Sequence, residues 1–167
     1  MVKPLRALVA AALFGAAAPL SAAETDGLDA AFRSCVSLYR HPLAGALMRS
    51  VSESASRDRF AAAHSSIVMS FSFEREHGYA TATATLKSGI AIAGVPARAI
   101  YASTCELECP LAVWGLDFGK VSTAQRDALQ AWVESAPSTH TEAHGDIKVQ
   151  LSTATGGEAL LICDVSD

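Results

Sequence analysis

Asparagine is absent from all 167 residues, so the chain offers no acceptor for an N-linked glycan. Lysine is scarce, four residues against nine arginines, and the bases do not gather into a cluster. Without such a footprint, a phosphate backbone and an anionic lipid surface both drop out as partners. The glycine patterns that cradle phosphates, G-x-G-x-x-G and G-x-x-x-x-G-K, are missing. So is the G-x-S-x-G elbow that presents a nucleophilic serine. No cysteine spacing matches the C-x-x-C of disulfide oxidoreductases or the C-x-x-C-H of haem attachment. Beyond residue 23 no segment approaches the roughly 20 apolar residues of a spanning helix. No cofactor is expected from this inventory.

The chain does carry an export leader in three parts. Lys3 and Arg6 make a positive start, Ala7 to Ala18 an uncharged apolar run, and Pro19 breaks it ahead of Ser21-Ala22-Ala23. Small residues there suit signal peptidase, so residues 1–23 are expected to be removed, leaving Glu24 first. No cysteine stands at the cleavage point, which argues against a lipid anchor. Loss of Lys3 and Arg6 takes the basic count from 13 to 11 against 17 acidic residues, a formal charge of −6. Residues 24–167 then fit one disulfide-stabilised domain, large enough to bury a core of its own. Arginine over lysine and an alanine-rich leader fit a bacterial export product, periplasmic or secreted.

Hydrophobic spacing divides this domain. Leu28, Ala31, Phe32, Cys35, Val36 and Tyr39 recur at helical intervals, which predicts one amphipathic helix from Thr25 or Asp26 to Pro42. Leu43 to Val51 predicts a second, shorter helix, and the serine-studded Ser52 to Arg59 an exposed loop or frayed helix. Ile67, Met69, Phe71 and Phe73 alternate with smaller residues as in a half-buried strand. After a polar connection from Glu74 to Gly78, Tyr79 to Leu86 alternates alanine and threonine, with Thr81, Thr83 and Thr85 on one side. Ile90 to Ala93, before Pro96, suits an edge or irregular crossing. Ala97 to Ser103 and Leu111 to Phe118 read as a hairpin pair, the second apolar on both faces and so central. Ser122 and Gln125 form a capping box opening a helix that buries Ala128, Leu129, Trp132, Val133 and Ala136. Strands near Asp146 to Ser152 and Glu158 to Val165 complete the series. Runs of strands between helices point to an α+β fold: a single antiparallel sheet of five or six strands with helices packed on one face. Trp114 and Trp132 belong in the layer between, with Phe71 and Phe73.

Four cysteines in an exported chain favour disulfides, and three connectivities are open. Loop entropy gives about 5 kcal/mol for Cys35–Cys163, about 2 for Cys105–Cys109 and roughly 4 for each bridge of the mixed pairings. Entropy therefore does not choose. Geometry leans to Cys105–Cys109 across a hairpin tip with Cys35–Cys163 between core elements, since Cα atoms must come within about 7 Å; the mixed pairings stay open.

Candidate chemistry is thin. His140, Glu142 and His144, with Asp146 beyond, share one side of an extended segment and have ligand chemistry for Zn²⁺ or Cu²⁺, but a solvated polar connection accounts for them well and is the favoured reading. Glu106 and Glu108 at one hairpin tip, with Glu74 and Glu76 at another, have the charge for an acidic rim that attracts cations or a basic partner, but charged hairpin tips are usually just solvated and that reading is favoured here. His41, His64 and His77 are isolated and sit beside turns. The expectation is a small soluble exported binding or accessory protein, non-catalytic, with an unknown protein or small-molecule partner. The alternatives are an exported hydrolase with dispersed catalytic residues and a periplasmic metal-binding protein.

Overall fold

The computed structural model describes residues 27–87, 90–105, 112–141 and 145–165. The expected leader, Cys109, Glu106, Glu108, Glu142 and His144 all lie outside the described residues. The fold is α+β, built on a six-stranded antiparallel sheet with helices packed against it.

Helix α1 (Leu28–Ser34) buries Leu28, Ala31 and Phe32. The single long helix expected here does not form. At Cys35 the backbone turns to a φ of 53°, and a 3₁₀ turn over Val36–Tyr39 follows. The reversal brings Leu38 into the core in place of Tyr39, which is 46 % exposed. A tertiary demand explains the break: Cys35 is bonded to Cys163, with Cα atoms 5.3 Å apart, and a continuing helix would carry its neighbours away from that strand. Pro42 opens the next helix, at a position where its missing N–H costs nothing.

That helix, α2 (Pro42–Ser52), is capped by His41, whose Nδ1 accepts from the Ala44 N–H at 3.5 Å. Gly45 allows it to lie close to the preceding turn. A Cβ at Gly45 would stand 2.5 Å from the Tyr39 carbonyl oxygen, a backbone atom that cannot swing aside. In an open helix Gly→Ala gains about 1 kcal/mol. Here Gly45→Ala is expected to reverse sign and cost about 1–3 kcal/mol, read as a lower urea midpoint at unchanged slope.

Helix α3 (Ser54–Ala63) stands where an exposed loop or frayed helix was expected, and it runs on to Ala63. Phe60 is its one buried residue, so periodicity could not reveal it. Its anchorage is by contact instead. Phe60 packs on Phe71 with ring centroids 5.0 Å apart. Arg57 reaches back to donate to the Ser50 and Val51 carbonyls at 3.3 and 3.2 Å, closing the open end of α2. The same guanidinium lies 4.1 Å over the Phe73 ring.

Strands β1 (Val68–Glu76) and β2 (Tyr79–Leu86) form a hairpin that is tighter than expected. Pairing runs to Glu76 opposite Tyr79, leaving only His77 and Gly78, both at positive φ, in the turn. A register shift between Val68 and Ser70 turns Met69 out to 64 % exposure, so it leaves the Phe71–Phe73 row. Short strands β3 (Ala91–Ile92) and β4 (Val95–Pro96) make a separate ribbon. Strands β5 (Ala99–Cys105) and β6 (Ala112–Lys120) follow, then α4 (Thr123–Ser135), whose capping box has both bonds: Ser122 Oγ accepts from Gln125 N at 3.2 Å, and Gln125 Oε1 from Ser122 N at 2.9 Å. The expected strand near Asp146 to Ser152 is divided. Strands β7 (Thr139–Thr141) and β8 (Gly145–Ile147) form their own hairpin, and β9 (Gln150–Thr153) joins β10 (Glu158–Asp164) in the main sheet.

The sheet order is β1-β2-β5-β6-β10-β9, so β6 is interior, as its two apolar faces imply. One face is the core. Across it run Phe73, Ala82, Ala102, Trp114 and Cys163, and beside them Phe71, Ala84, Ile100, Leu116 and Leu161. Alanines on β2 let α2 approach closely, and the Trp114 indole N–H donates to the Ala44 carbonyl of α2 at 3.1 Å. Trp114, Ile100, Leu116 and Leu161 are fully buried, while Phe71 and Phe73 are only half-buried at the edge.

Candidate functional site

Cross-strand pairing assembles the opposite face of the sheet from residues far apart in sequence. Its central row is Ser72, Thr83, Tyr101, Gly115, Ile162 and Gln150. On one side lie Glu74, Thr81, Ser103, Val113 and Asp164; on the other, Ser70, Thr85, Ala99, Asp117, Leu160 and Ser152. The helices that contact the sheet lie over its core face, so these rows carry no covering layer among the described residues.

The outer face is uneven. Tyr101 lies flat across Gly115, where a Cβ would fall within its ring. Thr81 and Ser103 join hydroxyls at 2.9 Å, and Ser103 also donates to the Ala80 carbonyl at 3.2 Å. Val113, Leu160 and Ile162 are half-buried beside them. Carboxylates stand around this apolar and hydroxyl-bearing middle: Glu74 and Glu76 at one corner, Asp164 at the rim, Asp117 and Glu158 at another corner. A bulge at Phe118 brings a base, Lys120, outward opposite Glu158. Two hollows open here. One of about 410 Å³ lies among Glu74, Glu76, His77, Tyr79 and Thr81. Another of about 180 Å³ lies among Asp117, Ser152, Glu158 and Leu160.

Tyr101 senses this environment. Burial, and then the nearby Asp117 carboxylate, push its phenol above the ordinary value of 10.0. In the unfolded chain the phenol ionises near 10, while the folded chain holds its proton to higher pH. Stability is therefore unaffected below that point and falls as pH rises through and above it. Tyr101→Phe is expected to remove this contribution, so urea midpoints of variant and wild type should diverge in the variant's favour between pH 9 and roughly 11.

The other candidates are placed apart from this face. Cys35–Cys163 is a disulfide sealed in the core. Cys105 is also disulfide-bonded. Of the candidate metal ligands, His140 stands on β7 opposite Asp146 on β8, with Nδ1 and Oδ1 2.8 Å apart, both exposed. Among the described residues no three histidine, cysteine or acidic side chains converge on one point. His41 caps α2, His64 follows α3, and His77 occupies the β1–β2 turn. No helix among the described residues is long and apolar enough to cross a membrane.

The chain matches no family model, no curated protein and no solved structure. The acidic corner at Glu74 and Glu76 was visible in the sequence. The row that joins Tyr101 to Gly115 and Ile162 was not, because register alone brings those residues together.

Proposed function

We propose that this is an exported, non-catalytic binding protein that docks a basic partner protein on the open face of its sheet. The carrying observation is that face itself, which has a mixed apolar and hydroxyl centre ringed by Glu74, Glu76, Asp117, Glu158 and Asp164, with Lys120 beside Glu158. Six strands about 4.8 Å apart and about seven residues long give a patch of roughly 24 by 23 Å. With its rim, that approaches the roughly 800 Å² per partner of a standard protein interface. A small ligand prefers an enclosed concave pocket, whereas this surface is broad and shallow. The carboxylate ring would steer a basic partner in and repel acidic ones. Export is supported by the leader pattern and by a disulfide of the kind an oxidising compartment sustains.

The test places a photo-crosslinking side chain at Thr83 or Ile162 in the producing cell, with exposed Gln130 on α4 as the control. A discrete protein adduct is expected from both face positions and not from Gln130, its yield falling as salt is raised. Adducts from all three positions alike, or none from either face position, would overturn the reading. The recovered protein is expected to begin at Glu24, which N-terminal sequencing checks.

A further inference from the structure

On the helical side, away from the open sheet face, α2 and α3 meet at Glu53 and leave a cleft of about 260 Å³ between them. Arg49 near the end of α2 and Arg59 on α3 line it, with Ser56 and His64. Its apolar floor includes Ala46 and the buried Phe60. Three arginines stand in this corner, and they are used differently. Arg57 is spent on the α2 carbonyls and the Phe73 ring. Arg59 commits only its Nε, to the Ala55 carbonyl of its own helix at 2.9 Å, which leaves both terminal nitrogens. The Arg49 side chain has no hydrogen-bond or ion-pair partner among the described residues, and neither Arg49 nor Arg59 meets a carboxylate there. The nearest acid on the connection, Glu53, accepts instead from the Ser56 hydroxyl at 2.7 Å.

Two arginines with unpaired terminal nitrogens line one cleft in a chain whose formal charge is −4. Each presents a planar fork of donors suited to a carboxylate. A mere solvated arginine pair would repel across the cleft and gain nothing from an aromatic floor. An anion between them relieves the repulsion, while a short apolar group behind it covers Phe60. The cleft lies at or below the small end of ligand pockets, roughly 300–1,000 Å³, which sets the size of the occupant. We infer that the α2–α3 cleft binds a small amphipathic carboxylate, the acid held between Arg49 and Arg59 and its aliphatic tail laid over Ala46 and Phe60. This goes beyond the protein-docking reading and uses a different surface.

The experiment titrates the oxidised protein with hexanoate and follows backbone amide and arginine side-chain resonances. Inorganic phosphate and hexylammonium serve as probes lacking the tail and the negative charge. Saturable shifts confined to residues 46–64 are expected with hexanoate, weaker ones with phosphate and none with hexylammonium. The double variant Arg49→Gln/Arg59→Gln, both positions exposed, should keep the spectrum of a folded chain and weaken hexanoate by about tenfold or more. Ala63→Glu, which sets a carboxylate at the cleft wall, should do the same by repulsion without removing either arginine. Shifts that fail to saturate, that spread to Arg33 and Arg126, or that persist in both variants would overturn the inference. Phosphate binding as tightly as hexanoate would overturn the role of the apolar floor.

Discussion

Trp114→Ala is expected to lower stability by about 3–5 kcal/mol, measured as a shift in the urea midpoint with loss of near-ultraviolet ellipticity. The indole is fully buried in the middle of the core face. Neighbouring strands hold Ala102 on one side and Cys163 on the other, and the Tyr39 ring meets it edge-on at 4.5 Å. The sheet walls are held by strand pairing and the Ala44 carbonyl by α2, so they cannot collapse into the space. Trp114→Phe should separate the two contributions. It keeps most of the apolar volume and loses the hydrogen bond to Ala44, at a cost of about 1 kcal/mol for the bond plus the smaller cavity. A domain of this size has about 5–15 kcal/mol to lose, so the alanine variant sits near its threshold.

Removing the core disulfide is expected to be about as severe. Cys35→Ala/Cys163→Ala opens a bridge that spans 128 residues of sequence. Chain entropy assigns such a loop about 5 kcal/mol, and native bridges in small exported domains are worth roughly 2–5. Alanine is the informative replacement because both positions have no exposure, and serine would add the separate cost of burying a hydroxyl. Urea unfolding of the variant against the oxidised wild type measures the difference, and a midpoint change of less than about 1 kcal/mol would show that the denatured chain is already compact there. Cys163 lies directly opposite Trp114 across the β6–β10 pair. The combined variant should therefore depart from the sum of the separate losses.

How much of this was legible in the sequence depended on whether an element obeys its own local pattern. The alternation of alanine and threonine over residues 80–85 gives a strand with alanines inward and threonines outward, because one face is closely packed and the other open. Ser122 and Gln125 announce α4 because a capping box is local chemistry. Elements set by distant contacts leave no such local mark. The break at Cys35 answers to a strand 128 residues on. Helix α3 has too little buried surface to show a period, and Arg57 and Phe60 secure it through partners on α2 and β1. The arginine cleft was hidden for the same reason, since a loop over residues 52–59 would not have aligned Ser56, Arg59 and Ala63 on one stripe. On the open face, single residues were readable as polar, but their grouping into rows depends on pairings among six strands.

The order of the sheet also sets when the fold can close. Strands β1, β2, β5 and β6 pair in the order they are made, each beside its predecessor. Strand β9 breaks this sequence, for its only place in the sheet is against β10, which also carries Cys163 to meet Cys35. A growing chain can therefore zip four strands together, yet it has neither a seat for β9 nor a partner for Cys35 until β10 has emerged. Completion waits on β10, and until it emerges the chain is an unfinished sheet with an unsealed core.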